Sequence, residues 1–225
     1  MGNYTRTKSL RRTVGTAALG CAVVLAATFL PGATSAQRIR NMGRRGSSVA
    51  PQVVTIDRGT IARAESYTRD RFNYFTETPR GVRVASVNQP RAEALRAIDE
   101  GLTGLFAAAR RSGYRARLNY TDYVVFIARA DRTRDSTGAY SPDMAFDAGY
   151  YAGSVYDRGG SIYAAGMVSS YSPAALVVAE HERDFGRMAN VVRYEGEHLV
   201  LYHNDRRLFQ QTADHTHGGA HPILR

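Results

Sequence analysis

Residues 188–202 read MANVVRYEGEHLVLY, and the register of this stretch decides how the chain is organised. At about 100° per residue, Met188, Val192, Glu195, His198, Leu199 and Tyr202 fall on one helical face within roughly ±60°. Glu195 and His198 therefore share an apolar stripe, three residues apart, where side chains on a helix converge. A carboxylate and an imidazole on a buried face are unfavourable unless they are paired or ligate a metal. Two readings follow: a core Glu–His hydrogen bond that pins the helix, or a metal site.

Working outward, Ser172-Pro173 carries a helix-start signal, with Ser as cap and Pro at the first helical position. The sequence thus predicts a long C-terminal helix over residues 172–207, with Gly186 or Gly196 bending or splitting it. Upstream, Tyr123–Ala128 (YVVFIA) is an unbroken apolar run, the pattern of a strand buried on both faces. Residues 148–156 and 161–168 read as two strands joined by Asp157-Arg158-Gly159-Gly160, a turn sequence suited to a hairpin. Asn88 and Pro90 signal a helix start. Leu95, Ile98, Leu102, Leu105, Phe106 and Ala109 give that helix one apolar face, and Gly113 suits its end. Residues 53–56 and 82–87 read as short strands, and the aromatic segment between them has no clear period. The implied class is α+β: a small, mostly antiparallel sheet with a helix before it and a long helix after it.

All six histidines lie at or beyond His181. On a regular helix His203 is about 140° from His198 and misses its face, and His181 lies about 25 Å away along a straight axis. The tail, Asp214-His215-Thr216-His217-Gly218-Gly219-Ala220-His221-Pro222, is rich in ligands. It supplies His215, His217 and His221 as partners for His198, or it is a solvated terminus that happens to contain histidine.

Tyr194-Glu195-Gly196-Glu197-His198 resembles the His-Glu-x-x-His motif of zincin metallopeptidases, with Tyr194 in place of the first histidine. The preceding helix, buried strand and Gly/Tyr-rich hairpin, within residues 90–205, are also similar to that family. The resemblance implies a zincin-like fold, zinc as cofactor, Glu195 as the general base and His198 as a ligand. It also implies that Tyr194 either ligates as a phenolate or weakens zinc binding, which makes the site degenerate. His217 stands nineteen residues after His198, near the spacing of a downstream third ligand, with His215 and His221 as neighbours. The function so implied is that of a secreted zincin-like protein with a degenerate site, weak or inactive as a peptidase and facing peptide or envelope components.

The N-terminus points to export. Arg6, Lys8, Arg11 and Arg12 precede an uncharged stretch, residues 13–37, with an apolar centre at 17–30. Pro31-Gly32 breaks it and Ala33-Thr34-Ser35-Ala36 offers small residues for cleavage, the layout of a signal peptide over residues 1–36. A retained membrane anchor is the competing reading. Cleavage takes the formal charge from +10 to +6 and removes Cys21, the only cysteine, leaving a thiol-free chain suited to an oxidising compartment. Residues 37–51 form an Arg/Gly/Ser-rich basic leader. Its arginines lack interleaved aromatics that stack bases, so it is read as a linker rather than a nucleic-acid arm. Residues 52–225 make a single domain. Six tyrosines between Tyr140 and Tyr171 allow a second function, a non-catalytic envelope protein that binds a glycan or a protein through a Tyr-rich sheet.

Overall fold

The computed structural model describes residues 54–131, 141–147, 149, 151–153, 159–215 and 220–224. The expected signal peptide and basic leader lie outside the described residues. No helix among the described residues is long and apolar enough to cross a membrane.

The run YVVFIA forms the strand on which the layers are built. This strand, β3 (Tyr123–Ala128), is buried at every position. Tyr123, Val125 and Ile127 face one core, and Val124, Phe126 and Ala128 face another. A strand with both faces apolar needs cover on both sides. The sheet around it contains β1 (Tyr74–Glu77), β2 (Arg83–Ser86), β6 (Gly166–Ser170) and β7 (Ala174–Ala179), in the order β1-β2-β3-β7-β6. β2, β3 and β7 are mutually parallel, whereas β1 and β6 run antiparallel to their neighbours at the edges. The chain is therefore α+β with a mixed sheet, antiparallel only at its rims.

Two long helices, α2 (Ala92–Arg111) and α3 (Phe185–Asn204), cover the first face. The helix predicted from the 95–109 spacing is α2, with Ile98, Leu102, Leu105, Phe106 and Ala109 all buried. Its start lies beyond Asn88: Arg91 precedes it in extended conformation, and the Asn88 amide donates to Glu180 instead. The second face is covered by α1 (Arg58–Thr68) and by a two-stranded sheet of β4 (Met144–Asp147) and β5 (Ser161–Ala164). The unassigned aromatic segment is thus α1 and β1. Asp57 caps α1 by accepting from the Thr60 N–H at 2.8 Å. The strand expected over 53–56 is absent at residues 54–56, although Ile56 enters the second core.

Three other expectations shift. The first hairpin strand is β4, earlier than 148–156. Its four residues alternate, with Met144 and Phe146 buried and Ala145 and Asp147 exposed, too short a pattern to stand out from the polar stretch before it. Residues 151–153 form a turn, and Asp157 and Arg158 lie outside the described residues. The 161–168 strand divides between β5 and β6, which belong to different sheets. Ser172-Pro173 does not open a helix. It lies in the turn between β6 and β7, with a cis peptide bond, and AALVVA after it is a six-residue strand buried throughout. Such a run satisfies a helix or a strand equally until length and β-branching are weighed.

The last helix is consequently α3, capped by Asp184, which accepts from the Arg187 N–H. A short α4 (Arg206–Thr212) follows it, capped in the same way by Asp205. Gly196 does not break α3, and a Cβ there would stand 2.6 Å from Leu105 Cδ2. At Gly101 of α2, a Cβ would lie 2.4 Å from the Ala189 carbonyl oxygen. These two positions let α2 and α3 approach closely. Gly101→Ala gains helix propensity but forces backbone apart, and overpacking of this kind costs roughly 1–3 kcal/mol. Urea denaturation of the variant should show a lower midpoint; a midpoint at or above that of the wild type contradicts this helix contact.

Candidate metal centre

α3 lies against the edge strand β6. At Gly166 a Cβ would sit 2.3 Å from Val191 Cγ1 and 3.1 Å from Glu195 Cγ, so the bare glycine backbone admits both side chains. Glu195 is half-buried here. Burial pushes its carboxyl up to about 7, while the His221 imidazole and the Val168 backbone N–H act in the opposite direction. His198, one turn further on, is 6 % exposed. Glu195 and His198 thus occupy the helix face that the spacing assigned them.

The tail completes the arrangement. α4 turns the chain back along α3, and the Ala220 N–H donates to the Thr212 carbonyl at 3.1 Å. His215 Nε2 comes to 3.0 Å from His198 Nε2. His221 stacks at a tilt on both, with ring centroids 4.9 Å from His198 and 4.8 Å from His215. One ligating nitrogen from each of His198, His215 and His221 lies within 4.8 Å of the others. Burial, then the neighbouring His221 and His215, pushes His198 down to about 3. Burial, then His221, also lowers His215. Both rings are therefore neutral near pH 7, each offering one lone pair and keeping one N–H. His198 Nδ1 has no hydrogen-bond partner among the described residues.

Glu197, an x position of the motif with no role implied for it, is the residue that holds the tail. It is 0 % exposed. Its Oε1 accepts from the Ile223 N–H at 2.8 Å, and its Oε2 lies 3.1 Å from His221 Nδ1. Its charge in an apolar helix was the available signal, since a buried carboxylate requires donors. Those donors lie 24 and 26 residues downstream, where no local pattern points to them.

The remaining candidates are placed differently. Tyr194 is 42 % exposed, and its ring leans on His221 with centroids 4.7 Å apart. His217 lies outside the described residues. His203 points elsewhere, its Nε2 2.8 Å from the Tyr171 carbonyl, as expected for a residue off the His198 face. His181 follows β7 and is 4 % exposed, with neither ring nitrogen partnered among the described residues.

The site opens into a cleft of about 1270 Å³ between α3, the tail and the β6 edge. Tyr67, Tyr151, Tyr163 and Tyr171 line it together with Glu195, His198, His215 and His221. The donor set suits zinc: three imidazoles, with one side open to the cleft, is the composition of catalytic rather than structural centres. His221 also has the carboxylate partner typical of a ligating imidazole. Family models, curated proteins and solved structures yield no match to this chain.

His181 gives a pH prediction independent of the cluster. Burial, then the nearby Arg187 guanidinium, lowers its pKa below 6.5. The unfolded chain takes up a proton near pH 6.5 that the folded chain resists, so stability falls as pH drops below that value. His181→Gln should flatten this part of the stability–pH curve between pH 7 and 5. An unchanged slope contradicts a buried neutral His181.

Proposed function

We propose that the chain is an exported, zincin-like metallohydrolase whose zinc is held by His198, His215 and His221. The observation that carries this reading is the return of two tail imidazoles onto the His198 ring, beside a half-buried glutamate and at the head of an open cleft. His221 stands against Tyr194, so the tail brings an imidazole to the position where the motif lacks one. On this reading the motif is completed from the tail, and Tyr194 supports His221 rather than ligating.

A zinc ion held by three imidazoles supplies Lewis acidity and makes water acidic near neutral pH. The protein's own part follows from its side chains. Glu195 is placed to accept a proton at its carboxylate and return it to a leaving group, and its raised affinity for protons suits both steps. The neutral rings of His198 and His215 keep their lone pairs available. β6 is an edge strand, and residues 165–171 line the cleft, so an extended peptide can lie along it. The basic, then apolar, N-terminal segment supports action outside the cytoplasm. A second reading has its own support: the five tyrosines lining the cleft, Tyr194 among them, suit a glycan or protein ligand held without catalysis.

Calorimetric titration of untagged protein with zinc should show one site. That site should be lost in His198→Ala and retained in His203→Ala, and Tyr194→Phe should stay within about threefold of wild-type affinity. With zinc bound, Glu195→Gln should lower peptide-library hydrolysis by about 10²-fold or more. Absence of a site in the wild type overturns the metal reading. Stoichiometric zinc without hydrolysis overturns the catalytic part and favours the binding protein.

A further inference from the structure

The buried carboxylate of Glu197 has no role in the chemistry assigned to Glu195 and His198, yet both of its oxygens are engaged by the tail. One accepts from the Ile223 N–H and the other faces His221 Nδ1, at 2.8 and 3.1 Å. Ile223 and Leu224 also pack against the first core. We propose that Glu197 is a positioning residue that selects the Nδ1–H form of His221, presents its Nε2 to the ion, and thereby couples zinc affinity to docking of residues 220–224. This rests on the three-histidine zinc reading above.

The argument is one of donors and acceptors. A carboxylate offers only acceptors, so a neutral His221 whose Nδ1 faces it must carry its proton there. The Nε2 lone pair is then free to ligate. Without Glu197, His221 can place its proton on either nitrogen and the tail loses the anchor that turns the ring inward. Outer partners of this kind typically account for 10–100-fold in metal affinity. The linkage also runs in reverse: an ion that binds only when His221 is in place favours the docked tail.

Glu197→Gln tests this with little change in shape. The amide keeps one acceptor oxygen for the Ile223 N–H and turns the other position into a donor, which favours a His221 that accepts at Nδ1 and carries its proton on Nε2. Ile223→Pro deletes the backbone donor without altering α3. In calorimetry with zinc alone, both variants should bind more weakly than wild type, Glu197→Gln by 10–100-fold. Nitrogen-15 spectra of the metal-free protein should show His221 moving from the Nδ1–H form toward a mixture in Glu197→Gln. Carboxypeptidase should trim the tail faster in both variants, and added zinc should slow trimming of the wild type. Unchanged zinc affinity in Glu197→Gln, with the His221 tautomer unaltered, overturns this inference and leaves the zinc site standing. A wild type that binds no zinc overturns the site and the coupling together.

Discussion

The candidate site depends on one buried carboxylate. Glu197 has no exposed surface, on a helix packed into the first core. A buried charge of this kind is tolerated only where donors meet it. Here both donors come from the tail, from the backbone of Ile223 and the ring of His221. Meeting the needs of Glu197 therefore fixes where residues 221–223 must lie. It brings His221 over the His198 ring, with His215 arriving from the end of α4. The fully buried carboxylate is thus also the one that draws the tail onto the cluster.

The layers below make that geometry available. β3 and β7 are buried on both faces, which forces cover on each side of the sheet. The two long helices take one side, and their closeness follows from Gly101 and Gly196. The antiparallel β6 ends the sheet beside α3, and Gly166 removes the side chain that would hold Glu195 away. An open strand edge, a desolvated glutamate and a histidine one turn later are therefore products of the packing. The cleft lies where the sheet stops.

Much of this was legible from residue patterns. The β3 run has six apolar residues with β-branching and no helical period to compete. The face of α2 and the stripe carrying Glu195 and His198 follow from spacing alone. The AALVVA strand is masked by Ser172-Pro173, which carries a helix-start signal, whereas the surrounding sheet buries all six residues. β4 was hidden by its shortness. In the tail, residue types mark His215, His217 and His221 as candidate ligands, but convergence is a long-range property. No periodicity in residues 213–224 encodes it, and Glu197 meets its partners only after the chain has turned back through α4.

X-ray absorption at the zinc edge of the metal-loaded, untagged chain tests the central claim most directly. The account predicts the multiple-scattering pattern of three imidazoles, with nitrogens at about 2.0–2.1 Å and a light atom in the remaining position. A spectrum with one imidazole or none would contradict the assembly of His198, His215 and His221 around a single ion.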